Sequence, residues 1–370
     1  MSIDFAKLHN DVVFGKAGGK IIWQPRIGAW FNDRKFFHIP FPHPYADMDL
    51  PDIYRSLGCS ARIYDYRFSF KRIEHPEVKE SIRQLSDTDF EKTITTPAGK
   101  QTVVLRNTPN SDVPIHLKRE VATEDELKVS AWRELNTNWQ WDQDEFDRLC
   151  AKWKGLGAAT MYIPRMNVQD LYLSKMGVEK GIYAIMDWPK TVEAYFEALE
   201  ICHDKLIELI NKSPINILNF GENIHAGTIG EDLFLKYHLP ACRRRCDKLH
   251  KAGKFISSHW DGDTKPLLKY LSQTGLDGIE AITPKPQGDV TLEEIKEALP
   301  DGMVMMDGIP AILFDDMFPE EMLIEYTKKC IELFAPRLVL GISDEISSTG
   351  NLERIRIVGQ IVNEYNSQFD

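Results

Sequence analysis

Side chains able to move protons or grip ions recur at the ends of short apolar runs in this 370-residue chain: Arg26, Tyr162, Arg165, Glu222, His225, His259, Asp261, Glu280, Asp307, Asp344 and Glu345. Glu222, His259, Glu280 and Asp307 close four consecutive runs. One imidazole with several carboxylates suits a zinc ion that keeps an open coordination position. The same residues also suit a hydrogen-bonded acid–base network without metal. Asp261 and Asp344 are further ligand candidates, and Asp261 could instead orient His259 or cap the following helix. Glu280, Asp307 and Tyr162 are the candidates for proton transfer. Arg26, Trp30, Arg165, His225 and Phe37 are candidate substrate contacts. Ser257, Ser258 and His259 are adjacent, but neighbours on a strand face opposite ways, so they make no triad. The chain has no nucleophile elbow, phosphate loop or CxxC pair.

The elements that must position these groups follow a rhythm. Apolar runs at 20–28, 59–68, 157–166, 215–224, 253–262, 276–284, 303–311 and 338–347 are too short for helices and are flanked by Gly or Pro, as buried parallel strands are. Between them lie helical patterns, such as 191–210 and 231–251, with Thr291 and Glu294 spaced as a capping box. Eight strands alternating with helices predict an α/β chain folded as a (β/α)8 TIM barrel, one domain over 1–370, with chemistry at the strands' C-terminal ends. An open doubly wound sheet is the alternative, but no GxGxxG follows a strand. Residues 85–140 break the rhythm and read as an insertion between strands two and three. It contains a β-hairpin around Pro97-Ala98-Gly99-Lys100 and a helix opened by Thr123. The aromatic, proline-rich stretch 31–52 is a lid, a docking edge or a packed loop.

A net charge of −11 argues against a nucleic-acid groove, which needs clustered Lys and Arg. No run of about 18 apolar residues could span a membrane. The opening residues lack a signal-peptide core, so a cytoplasmic location is expected. Six scattered cysteines fit a reducing compartment better than a disulfide framework. Cys242 and Cys246 could clamp a metal, but the three arginines between them favour an ordinary exposed helix.

Trp23-Gln-Pro-Arg26-Ile-Gly-Ala-Trp30 resembles the opening strand of uroporphyrinogen decarboxylases, in which the arginine holds substrate propionates. The family's second arginine, four residues on, is replaced here by Trp30. Its aspartate after strand two has no clean match, although Asp65 is near. The corrinoid- and coenzyme-M-linked methyltransferases of the same superfamily resemble the chain further along, in TTPAGK…REVATEDELKV (95–129) and in His259-Trp-Asp261-Gly262, where that branch carries His-x-Cys-Gly. The branch's last cysteine falls near Asp344. Together these likenesses span most of 18–365. They imply an anaerobic O-demethylase that moves a methyl group from a methoxyaromatic donor to the cobalt of a separate corrinoid protein. Zinc, or a proton from Glu280, would stabilise the phenolate leaving group. A decarboxylase using Arg26, and a non-catalytic tetrapyrrole or corrinoid binder, are the rival expectations. The chain lacks an Asp-x-His-x-x-Gly motif, so methylcobalamin would arrive on its partner, with Phe36, Phe37 and Phe41 as pocket wall or docking edge. A homodimer is left open.

Overall fold

The computed structural model describes residues 3–369. Chain order gives a first barrel strand, β1 (Ile22–Trp23), and then six strands of an insertion: β2 (Phe70–Ile73), β3 (Lys79–Gln84), β4 (Asp89–Thr96), β5 (Gly99–Thr108), β6 (Ser111–Lys118) and β7 (Asn138–Trp141). Six more barrel strands follow: β8 (Thr160–Ile163), β9 (Ile217–Ile224), β10 (Phe255–Trp260), β11 (Gly278–Glu280), β12 (Val304–Pro310) and β13 (Leu338–Ser343). The barrel strands form one parallel sheet in the order β1-β13-β12-β11-β10-β9-β8.

The gap between β1 and β8 is where the sequence predicts the second barrel strand. Residues 59–65 lie there in extended but irregular form. Ser60 N donates to Trp23 O (3.0 Å) on one side, and Ala61 N donates to Leu156 O (2.8 Å) on the other. Asp65 bridges to Met161. Gly157 lets this segment approach, since a Cβ there would stand 2.3 Å from Ala61 O. The expected eight-stave barrel is therefore present, with one stave held by isolated hydrogen bonds in place of a ladder.

Alternation along the strands sorts the interior into layers. Ile22, Ala158, Ile217, Phe255, Val304 and Val339 form an apolar lower layer, which the helix Phe5–Val13 closes with Val12 and Val13. Above it the same alternation carries polar side chains inward: Gln24, Asn219, Ser257 and Glu280, all buried. Asp307 interrupts the alternation. Its φ of +77° turns its carboxylate inward directly after Met306. The outer faces of the strands pack on the helices in a single large core.

The insertion is larger than the expected hairpin. β3 to β6 make a four-stranded antiparallel sheet, and β2 pairs with β7. Polar alternation on a sheet open to solvent hides the outer strands from a search for apolar runs: every residue of β3 is exposed. The helix Glu124–Leu135 packs beneath the sheet. Thr123 caps it, and Gln101 of β5 donates to Glu126 O (2.9 Å). Arg133 pairs within the unit with Glu74 (3.0 Å) and Glu120 (2.8 Å), and Lys175, which follows β8, ties it to the barrel through Glu120 (3.2 Å).

The helix Leu239–His250 is not the exposed one that its arginines suggest. Cys242, Arg245 and Cys246 are buried, and Arg245 pairs with Glu200 and donates to Pro164 O (3.1 Å). All six cysteines are unpaired thiols. The capping box at Thr291 and Glu294 is present as predicted. Among the described residues, no helix is long and apolar enough to cross a membrane.

Two buried histidines make stability depend on pH. Burial holds His9 and His238 at about 3, so both stay neutral in the folded chain. In the unfolded chain they bind protons below about 6.5. At these two positions folded and unfolded states therefore differ only below that value, and the stability they contribute falls as pH drops from about 6.5 towards 3. Each histidine contributes a slope approaching about 1.4 kcal/mol per pH unit. The urea midpoint of His238→Phe relative to its parent should therefore shift in the variant's favour between pH 7 and pH 5.

Candidate active site

The strands' C-terminal ends open into a cleft of two lobes, of about 530 and 330 Å³. Arg26, Arg67 and Tyr162 line both. Phe31, Tyr54 and Trp153 wall the larger lobe; Arg165, Asn223 and His259 line the smaller. Tyr162 stacks on Tyr64 with ring centroids 3.7 Å apart. Gly221 makes room for that ring, since a Cβ there would lie 2.9 Å from Tyr162.

Beneath the cleft, Glu280 is the hub. Its Oε1 accepts from Arg62 Nη1 (2.9 Å) and from the Tyr64 hydroxyl. Its Oε2 accepts from Asn219 Nδ2 (2.8 Å) and meets His259 Nδ1 at 3.0 Å. Arg62 Nη1 also lies 2.6 Å from Asp307 Oδ1. That second contact is an ion pair without hydrogen-bond alignment, and Asp307 has no hydrogen-bond partner among the described residues.

On the cleft side, Asp261 stands 3.8 Å from His259 Nε2 and accepts from Asn223 Nδ2 (3.3 Å). Asn223 accepts in turn from Arg165 Nη2 (3.0 Å). Asn223 holds a φ of +54°, a left-handed backbone that asparagine tolerates better than most residues. Such strain at a cleft is a common mark of function.

These contacts fix the protonation states. Burial would lower the His259 pKa, but the neighbouring carboxylates of Asp261 and Glu280 carry it up to about 9. The imidazole is thus a cation at neutral pH. Burial opposes ionisation of Glu280, yet His259 and Arg62 hold its carboxyl well below the usual range. Glu280 is therefore a fixed anion, not the proton donor the sequence suggests. Burial raises Asp307 above the ordinary carboxyl range, despite Arg62. Arg26 is neutralised within the chain by Asp344 and by Glu345 (3.1 Å), and Glu345 also accepts from Ala29 N (2.6 Å).

The four side chains read as a metal-ligand set do not converge. Glu222 shares β9 with Asn219, Gly221 and Asn223 but faces the other way. It accepts from Met166 N (3.2 Å) under the influence of Arg245, and burial pushes its carboxyl up to about 8. Between Glu280 and Asp307, the place for a cation is taken by the Arg62 guanidinium. Among the described residues, no cluster of three or more His, Cys, Asp or Glu side chains is arranged to hold a metal. The donor set does not fit zinc.

Three other expected contacts lie elsewhere. Trp30 is buried, and its indole donates to Gly350 O (3.1 Å), with Phe41 packed against it. Phe37 is 45% exposed and, like Phe36, does not line the cleft. His225 packs against Gly227 and Gly262 outside both lobes. From the stretch 31–52, it is Phe31, Asn32, Lys35 and 49–51 that reach the larger lobe. Arg62, Tyr64, Arg67 and Asn219 are additions. A polar residue inside an apolar strand run was the available signal for Arg62 and Asn219.

A (β/α)8 barrel with an acid–base cleft over its strand ends is the architecture of an enzyme. The chain belongs to the uroporphyrinogen decarboxylase (URO-D) family, whose model matches residues 173–365, more than half of its length. Among solved structures, a methyltransferase from Methanosarcina mazei is similar, with a TM-score of 0.50 at 11% identity, over 70% of this chain and 75% of that one. At that identity the likeness speaks for the fold alone. No curated protein matches the chain.

Two outcomes follow from this packing. Metal analysis of the purified chain should find far less than one equivalent of zinc, and chelation should leave its melting temperature unchanged; a stoichiometric zinc lost in His259→Ala would refute the cation assignment. Gly341→Ala would place a Cβ 2.2 Å from Asp307 Oδ1 and 2.9 Å from Arg62 Nη2. It should destabilise the chain by about 1–3 kcal/mol in urea unfolding, the usual cost of overpacking.

Proposed function

We propose that this protein is a methyltransferase that takes a methyl group from a methoxyaromatic donor and passes it to the cobalt of a separate corrinoid protein. The observation that carries the reading is His259, held as a cation by Glu280 and Asp261 at the wall of the smaller lobe. Membership of the URO-D family, and a fold shared with a methyltransferase, support it.

The methyl carbon leaves the ether oxygen for the cobalt, and the electron pair of the broken C–O bond stays on that oxygen. His259 supplies the proton that turns the leaving phenolate into a phenol. Glu280 and Asp261 stabilise the imidazolium before transfer, and solvent restores its proton afterwards. The stacked Tyr64 and Tyr162 give the donor's ring an aromatic wall. Six unpaired thiols suit a reducing cytoplasm for such chemistry.

Decarboxylation with Arg26 as the carboxylate grip is disfavoured, because Asp344 and Glu345 already neutralise Arg26. A binder without chemistry would need satisfied strand-end charges and no open pocket. The open two-lobed cleft argues against it.

The test is the absorbance change on methylation of a purified, reduced corrinoid protein, with methoxyaromatic donors. His259→Asn should lower the rate by about 10²–10⁴, the usual contribution of a general acid, in assays run below the variant's own melting temperature. With the wild type, kcat/KM should be flat at neutral pH and fall as pH rises through about 9, where His259 loses its proton. A His259→Asn variant as fast as its parent would end this reading.

A further inference from the structure

Most cations of the cleft are already matched by carboxylates of the chain. Arg26 is held by Asp344 and Glu345, and Arg62 by Glu280 and Asp307. Lys152 stands 3.9 Å from Asp65, and His259 lies between two acids. Arg67 is different. It lines both lobes, its guanidinium lies over the Phe68 ring at 4.8 Å, and no described carboxylate is within ion-pair distance. Lys35 in the larger lobe and Arg165 in the smaller also lack a carboxylate partner, and Arg165 Nε is buried without any hydrogen-bond partner. The one acid of the larger lobe not paired with a cation, Asp49, is engaged in capping the helix Leu50–Leu57. In a chain of net charge −11, unmatched cations gathered on one cleft mark a place for an anion from outside.

We propose that the methyl donor is itself an anion, a methoxyaromatic carboxylic acid whose carboxylate is held by Arg67, and that Arg67 sets the preference for such acids over neutral aryl ethers. This rests on the methyl-transfer reading above and names the donor class for the same cleft. The family likeness points to Arg26 as the carboxylate grip; the ion pairs move that role to Arg67. A guanidinium offers a carboxylate two parallel hydrogen bonds, and Arg165 adds positive potential across the smaller lobe. Arg67, Tyr162 and His259 all line the smaller lobe, so a ring whose carboxylate is held by Arg67 shares that lobe with the proton donor. The 330 Å³ of that lobe falls within the usual range of small-molecule sites, about 300–1,000 Å³.

Binding can be measured without any corrinoid partner. The purified full chain is titrated by calorimetry with 4-methoxybenzoate and with its neutral counterpart, 4-methoxybenzyl alcohol. The acid should bind about tenfold or more tightly, as expected for a charge-assisted contact. Arg67→Gln should remove that advantage, leave the affinity for the alcohol within about twofold, and leave the melting temperature unchanged. Equal binding of acid and alcohol by the wild type, no binding of either, or an unchanged preference in Arg67→Gln would each overturn the assignment. The two readings fail separately. Acid-selective binding with no methyl transfer would sink the methyltransferase and keep the anion site. Methyl transfer from neutral ethers without acid preference would do the reverse.

Discussion

Two carboxylates buried inside a barrel repel each other and lose their water, so neither is tolerated without a compensating charge. Arg62 supplies that charge between Glu280 and Asp307, and the rest of the site is arranged around it. With Arg62 in place Glu280 stays ionised, and an ionised Glu280 keeps His259 protonated. Asp261, Asn223 and Arg165 continue the chain of contacts outward to the cleft wall. The interior therefore works as a graded sequence: apolar at the floor, charged and closed in the middle, open and basic at the mouth.

The barrel was legible in the sequence because buried parallel strands must be short, apolar and punctuated, and those signals survive without a structure. The weak stave at 59–65 was legible as a run but not as an irregular one, since its pairing depends on Gly157 and on bonds to two distant strands. The extent of the insertion escaped notice for the opposite reason. A sheet that faces solvent needs no apolar run, and β3 has none. The helix at Thr123 and the capping box at Thr291 were readable because caps are local chemistry.

The site was legible by residue type and only partly by role. Strand ends drew attention to Arg26, Tyr162 and His259, which line one cleft, and to Glu280, which lies beneath it. Counting along a run did not reveal which face each side chain takes. Glu222 and Asn223 are neighbours that point opposite ways, and Asp307 reaches the interior only through its positive φ. The zinc expectation went astray because a guanidinium and a metal ion answer the same electrostatic need, and Arg62 lies far from those carboxylates in the sequence. Trp30 stands where the family's second arginine would be, and its burial shows that the position here belongs to the core.

The segment 59–65 is at once a wall of the barrel and the carrier of Arg62 and Tyr64. The residues that close the cylinder and those that build the reactive centre thus belong to one segment. The insertion 70–141 hangs immediately beyond this seam, anchored through Lys175 to Glu120 and Glu134. A disturbance on the outlying sheet has a short covalent route to the charge at the heart of the molecule. The stave with the fewest ladder bonds is the one on which the chemistry depends.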